Sequence, residues 1–367
     1  MTREDLWEYD WSLFIVMLGL IGMGLVMIFS SSAIEGYQLG NSVSYFFERQ
    51  IVWSLIGMGL FFVAMTVSFD TIRSLSVPFY WIVVVLLGLV LVPYIGREAG
   101  GARRWLDLGI LGFQPSELAK IALILVSAKY LTARQQKEQT VVRDIAVIGA
   151  FSLLFAVLVA LEPDVGTAFQ LFIIGLVMLF LSGFPFHYIF FSGVLALPLG
   201  ALTVFASGYR RERIVAYLNP WGDPLDKGYH VIQSLKALGS GGISGRGLGE
   251  SVQKMGYLPE PYTDSIVAII GEELGLLGIM FMTVLLIFLI IKGFSVSLQV
   301  ADPFQRLIGV GVSFLIALQA LLNLSVISGL IPATGVSMPF ISYGGSALVL
   351  NMAAVGLLMN ISRRQTT

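Results

Sequence analysis

Apolar residues fill this chain in long runs, and short polar stretches separate them. A helix that crosses a bilayer needs roughly 20 such residues. The runs predict ten spans, at 11–31, 51–69, 75–94, 115–133, 145–161, 166–183, 187–206, 266–291, 307–330 and 346–361. Some meet through very short turns: Leu161-Glu-Pro-Asp-Val165 joins the fifth to the sixth, and Ser182-Gly-Phe-Pro-Phe186 the sixth to the seventh. With ten spans, the polar segments 95–114, 207–265 and 331–345 fall on the side opposite the termini. Pro and Gly break 331–345 too often for a spanning helix. Non-helical backbone at that depth must be buried in protein or line a wet cavity, so a re-entrant or cavity-lining segment is expected. The predicted class is an all-α polytopic membrane protein, one membrane domain over 1–367, with a large loop at 207–265 between the seventh and eighth spans.

Composition agrees: 56% of residues are hydrophobic and 12% charged, against roughly 25% charged in soluble domains. Net charge is −1, and no basic tail or recognition motif points to nucleic acid. The absence of cysteine excludes disulfides, thiolate metal sites and Cys nucleophiles. The acidic N-terminus, followed by no small-residue cleavage site, does not read as a signal peptide. Orientation follows from Lys and Arg in short loops. Ten such cations share the side of the termini, from Arg3 and Arg73 to Arg363 and Arg364; Arg49, Arg97, Arg103 and Arg104 oppose them. Cytoplasmic termini are expected, with the long loop outside.

That loop carries 7 of the 22 basic and 6 of the 23 acidic residues. It ends in Tyr257-Leu-Pro-Glu-Pro-Tyr-Thr-Asp-Ser265, which puts Asp264 where water meets membrane. A carboxylate there suits chemistry on a lipid with a polar head; it also suits a plain helix cap. Glu272 and Glu273 fall inside the predicted eighth span, where carboxylates are functional suspects. At 100° per residue, they and Asp264 cannot all face one cavity unless the helix is distorted.

Other motifs also carry two readings. Glu117 and Lys120, three apart on one helix face, form either an internal ion pair or, with Arg103 and Arg104, part of a phosphate site. Glu162 and Asp164 are explained by turn chemistry, or they converge on a hard cation such as Mg²⁺. Arg211 and Arg213 suit bidentate phosphate contact or a solvated cluster. The glycine-dense stretch Gly239–Gly249 lacks the ending of a P-loop; its glycines permit tight turns or close backbone approach. His187 and His230 show no metal-ligand spacing.

Six stretches together resemble the SEDS family of cell-wall polymerases, and within it the RodA branch: GARRWLDLG with FQPSELAK, LEPDVGTA, RRERIVAYLNPWGDPLDKGYHVIQS, GSGGISGRGLGES, YLPEPYTDSIVAIIGEELG and SGLIPATGVSMPFISYGGS, in the family's order. The resemblance implies a peptidoglycan glycosyltransferase of the bacterial cytoplasmic membrane that polymerises lipid II during elongation. The acceptor's 4-hydroxyl would attack the anomeric carbon of a lipid-diphosphate donor, and polyprenyl diphosphate would leave. The family's Thr-Asp motif maps to Thr263 and the catalytic Asp264. Its Glu-Pro-Asp turn maps to Glu162 and Asp164, its Arg-x-Arg motif to Arg211 and Arg213, and its Pro-Ser-Glu-x-x-Lys motif to Ser116, Glu117 and Lys120. The family often reads His-Thr-Asp-Phe where this chain reads Tyr262-Thr-Asp-Ser265. Implied partners are lipid II, a class B penicillin-binding transpeptidase, the elongation machinery and membrane lipids. A divalent cation, Mg²⁺ or Mn²⁺, is the cofactor to test. Two other classes compete: a flippase for lipid-linked precursors, and a scaffold that only recruits a partner.

Overall fold

The computed structural model describes residues 9–99, 102–107, 112–134, 141–194, 217–226 and 228–363. The chain is an all-helical multi-span membrane protein. The amino-terminal part comprises α1 (Trp11–Gln38), α2 (Tyr45–Thr66), α3 (Phe69–Leu91), a small sheet, α4 (Pro115–Arg134), α5 (Val141–Leu161) and α6 (Val165–Leu181). A helical stretch at 186–194 follows. Then come α7 (Tyr229–Gly241), α8 (Ile266–Leu298), α9 (Pro303–Ile327) and α10 (Gly345–Ser362). Among the described residues, seven helices are long and apolar enough to cross a membrane: α1, α2, α3, α5, α8, α9 and α10. The apolar α6 has 17 residues, and α4 carries Glu117, Lys120 and Lys129 along its length. The predicted seventh span, 187–206, lies partly outside the described residues.

The starts of α1, α3, α6 and α9 are fixed by side chains that accept orphan backbone N–H groups. Asp10 accepts from Ser12 N, and Asp302 from Phe304 N at 2.9 Å just before Pro303. The same carboxylates tie the bundle together at one end: Lys292 meets Asp10 at 2.7 Å and Arg73 meets Asp302 at 3.2 Å. The Asp10 N–H also donates to Ser362 at 3.1 Å. The starts of α1, α3 and α9 and the ends of α8 and α10 therefore share one end.

α10 is buried almost along its whole length, while α1, α2, α3 and α5 turn most of their surface outward. Lipid is as apolar as a leucine core, so close packing and polar contacts must hold such helices together. Gly356 of α10 supplies one close approach: a Cβ there would stand 2.4 Å from Phe61 O on α2. Asn360 of α10 donates to Ala64 O and Val67 O at 3.0 and 2.7 Å.

Two features differ from the sequence-based expectations. The segment 95–114 forms a three-stranded antiparallel sheet of β1 (Gly96–Ala99), β2 (Ala102–Asp107) and β3 (Gly112–Phe113), in order β1-β2-β3. Its strands escape a periodicity reading because β2 buries Ala102 and Leu106, four apart, and a bulge shifts the β1–β2 register at Arg97/Glu98. The second difference is a break in α8 at Gly275, which has φ 68° and ψ −163°. Residues 276–298 make roughly 34 Å of helix at 1.5 Å per residue, enough for a bilayer core. The piece 266–274 is separate, so Glu272 and Glu273 precede the long straight part of the predicted span rather than sit within it.

Candidate active site

Asp264 stands where three parts of the chain converge at the end of the bundle opposite Asp10 and Lys292. Asn323 of α9 donates its amide to Asp264 O at 2.9 Å and to Val336 O at 2.8 Å. The Tyr343 N–H donates to Tyr262 O at 2.8 Å. The segment 331–344 is non-helical, with Val336, Met338, Phe340, Ile341 and Ser342 buried, so its backbone packs inside the protein beside the carboxylate. The Asp264 side chain is half-buried. The Thr263 hydroxyl lies 3.1 Å from Asp264 Oδ1 and equally close to Glu260 Oε2; its one proton serves one of them at a time. Burial, then the charge of Asp264, push the Glu260 carboxyl above its ordinary range.

Arg104 of β2 connects this stretch to the Glu-Pro-Asp turn. Its Nε and Nη2 donate to Glu162 O at 3.1 Å and Pro163 O at 2.7 Å. Its positive charge acts on both Glu162 and Glu260. The two carboxylates of the turn play different parts. Asp164 caps α6, accepting from Thr167 N and Thr167 Oγ1 at 3.0 Å each. Glu162 is wholly buried, and neither carboxylate oxygen has a hydrogen-bond partner among the described residues. Burial, with the Asp164 charge second, pushes it up to about 8. A hard cation would need both carboxylates ionised; the Asp164 oxygens accept Thr167 donors, while both Glu162 oxygens are without a hydrogen-bond partner among the described residues. Among the described residues no three of His, Asp and Glu are arranged to hold a metal ion.

Lys120 and Glu117 form a buried ion pair at 2.7 Å on α4, the internal-pair geometry. Arg103 faces Glu98 across the sheet at 3.5 Å and is partly exposed. Arg211 and Arg213 lie outside the described residues. Glu272 and Glu273 serve the glycine-dense loop instead of Asp264. Glu272 accepts from Ser240 Oγ, Arg246 Nη1, Ser251 Oγ, Val252 N and Gln253 N. Glu273 pairs with Lys254 at 2.7 Å and accepts from Ser30 of α1. The structure thus groups Thr263, Asp264, Arg104, Glu162 and Asp164. It adds Glu35, Glu260, Asn323 and Tyr343, which the motif reading passed over, and Tyr262, which that reading named only as a departure from the family's pattern. Asn323 carried a signal, as a polar side chain inside an apolar run. Glu35 carried none, because it falls just past the predicted first span.

A family model described as "Cell cycle protein", covering FtsW, RodA and SpoVE, matches residues 10–367. The chain belongs to the SEDS family. Its relatives include a probable peptidoglycan glycosyltransferase FtsW of Geobacter sulfurreducens, 40% identical over 99% of this chain and 98% of that one. Stage V sporulation protein E of Bacillus subtilis is 39% identical over 96% of this SEDS chain and 97% of its own length. Among solved structures, a chain from a study of polymerization and crosslinking by a peptidoglycan synthase complex aligns with TM-score 0.79 and 30% identity, over 97% of this chain and 98% of that one. The rod shape determining protein RodA of Thermus thermophilus aligns with TM-score 0.73 and 28% identity, over 98% of each chain. Division and sporulation names thus stand beside the rod-shape name that the motifs brought up.

Proposed function

We propose that this SEDS protein is a peptidoglycan glycosyltransferase that joins lipid II units into glycan strands, with Asp264 as general base. The observation that carries the reading is a half-buried carboxylate, held by backbone contacts at residues 262 and 264, at the polar end of a membrane bundle near Glu260, on which the Arg104 charge also acts. In the proposed step, a lone pair of the acceptor's 4-hydroxyl forms a C–O bond to the donor's anomeric carbon. The bond from that carbon to the diphosphate oxygen breaks, and polyprenyl diphosphate leaves with the electron pair. The hydroxyl proton passes to an Asp264 carboxylate oxygen. A positioned base contributes roughly 10²–10⁴-fold. Fixed cations stabilise the charge that grows on the leaving group; Arg104, Arg211 and Arg213 are assigned that part. Lys120, neutralised by Glu117, is assigned to shaping the site. A divalent cation would add to the same stabilisation; loss of polymer on chelation, and recovery with Mg²⁺ or Mn²⁺, is the outcome that would assign one.

The assignment includes a class B penicillin-binding transpeptidase as partner, termini in the cytoplasm and the site at the outer face of the bacterial membrane. Elongation is the role that the motifs suggest; relatives at 39–40% identity bear division and sporulation names and weigh against it. Complementation decides: rescue of rod shape in an elongation-depleted strain assigns elongation, and rescue of septation assigns division. The test of the reaction is labelled lipid II given to purified protein, with and without the partner, and products sized on a gel. Long chains that vanish with Asp264→Ala are expected. Translocation in liposomes without polymer would replace this reading with the flippase.

A further inference from the structure

Tyr262 stands two residues before Asp264, and its ring is buried between two others. Phe46 of α2 lies 4.4 Å away between centroids, and Tyr343 packs edge-on at 5.6 Å. The Tyr262 hydroxyl donates to Glu35 Oε1 at 3.0 Å, across 227 positions of sequence. A hydrogen bond to a carboxylate is charge-assisted and stronger than one between neutral groups. Burial, then the charge of Glu35, push the phenol's pKa up, so it remains a donor. The residue's own carbonyl accepts from Tyr343 N. Residue 262 is therefore fixed at ring, hydroxyl and backbone.

The other flank is fixed too. Ser265 is buried, with Oγ 2.9 Å from His230 Nε2 on α7, and the Asp264 carbonyl is held by Asn323. Thr263 and Asp264 are strung between these two anchors. Tyr262 and Ser265 are the two positions where this chain departs from the His-Thr-Asp-Phe pattern, and each departing side chain has found a partner. The resemblance foretold neither contact.

We propose that Glu35 and Tyr262 are a positioning pair that holds the Asp264 carboxylate in the geometry needed for transfer. The proposal rests on the polymerase reading above. Its logic is distance: a misplacement of about 1 Å can cost on the order of 10²-fold in rate. Asp264 sits at the end of a long loop, and Glu35 ties that end to the first helix of the bundle.

Two conservative variants test it. Tyr262→Phe keeps the ring between Phe46 and Tyr343 and removes the hydroxyl; Glu35→Gln keeps the shape and removes the charge. With labelled lipid II, each is expected to lower kcat about 10-fold or more while KM stays within about two-fold, the mark of an interaction that matters to the transition state. The double variant is expected to be no slower than the slower single one, because both changes break the same link. Tyr262→His, which restores a donor, is expected to recover part of kcat. Thermal unfolding in detergent is expected to stay close to wild type for Tyr262→Phe. Unchanged kcat in either single variant overturns the proposal. So do losses that multiply, which would mean that Glu35 acts independently of Tyr262. A wild type that makes no polymer overturns the polymerase reading and the pair with it; normal Tyr262→Phe beside an active wild type overturns the pair alone.

Discussion

Glu162 and Asp164 are two residues apart and sit in opposite environments. Asp164 is satisfied as a helix cap, whereas Glu162 faces the interior with no partner among the described residues. A turn rich in Pro and acid suggested both roles at once; only burial separates them, and burial is a tertiary property. The separation has a consequence for stability. Glu162 is raised from 4.5 to about 8 in the folded protein. Between those values the native state keeps the proton and the unfolded chain releases it, so stability falls as pH rises. It is full below the unfolded value and stops falling above the folded one. The thermal midpoint of the wild type is therefore expected to decline from about pH 5 to about pH 8. Glu162→Gln, neutral throughout, is expected to flatten that slope, as a pH series of unfolding scans in detergent would show. Parallel slopes would mean that another group dominates. Arg104 invites a second substitution. Its fork reaches two carbonyls of the turn at once, and a lysine cannot reproduce that planar geometry. Arg104→Lys is expected to lower polymerisation although charge is conserved, and Asp264→Asn to abolish it.

At the scale of elements, the break in α8 organises the loop that precedes it. Gly275 adopts φ 68°, and a Cβ there would stand 2.3 Å from Gly245 N. The freed backbone is used: Arg246 N and Gly247 N donate to the carbonyls of Glu272 and Glu273, and Leu276 N and Leu277 N donate to Gly242 O and Ile243 O. The glycine-dense stretch therefore does allow close backbone approach, but to a helix of the same chain. The sequence could not show this, because the partner lies about 30 residues on and the break depends on a single glycine among many. The conformation alone should cost Gly275→Ala about 1–3 kcal/mol, before the clash is counted. Glu272→Ala would strand the Ser251 hydroxyl and the Val252 and Gln253 N–H groups that its carboxylate now gathers; a buried donor left unsatisfied typically costs about 1–3 kcal/mol. Both variants are expected to melt at lower temperature and to be cut faster by protease within 242–258. An unchanged cleavage rate would show that the loop is held by its other contacts.

Across the whole molecule, the long apolar runs were legible because lipid imposes one rule on every span, and among the described residues seven of them appear as helices that meet it. What stayed hidden depends on contacts between distant segments: the small sheet, the break in α8, and the link from Glu35 to Tyr262. The two ends of the bundle are chemically distinct. One is laced by Asp10–Lys292 and Arg73–Asp302; the other gathers Arg104, Glu162 and Asp264. Lipid-linked sugars can be polymerised outside the cell only if the second end faces outward, and the short-loop cations favour that arrangement. The chain has no cysteine, so single cysteines report without background. Glu250→Cys, exposed near the site end, is expected to react with a membrane-impermeant maleimide in intact spheroplasts. Arg143→Cys and Arg306→Cys, exposed toward the other end, are expected to react only after the membrane is opened. The reverse pattern would place Asp264 on the cytoplasmic face, where an outward polymerase could not work and the flippase would become the reading to test.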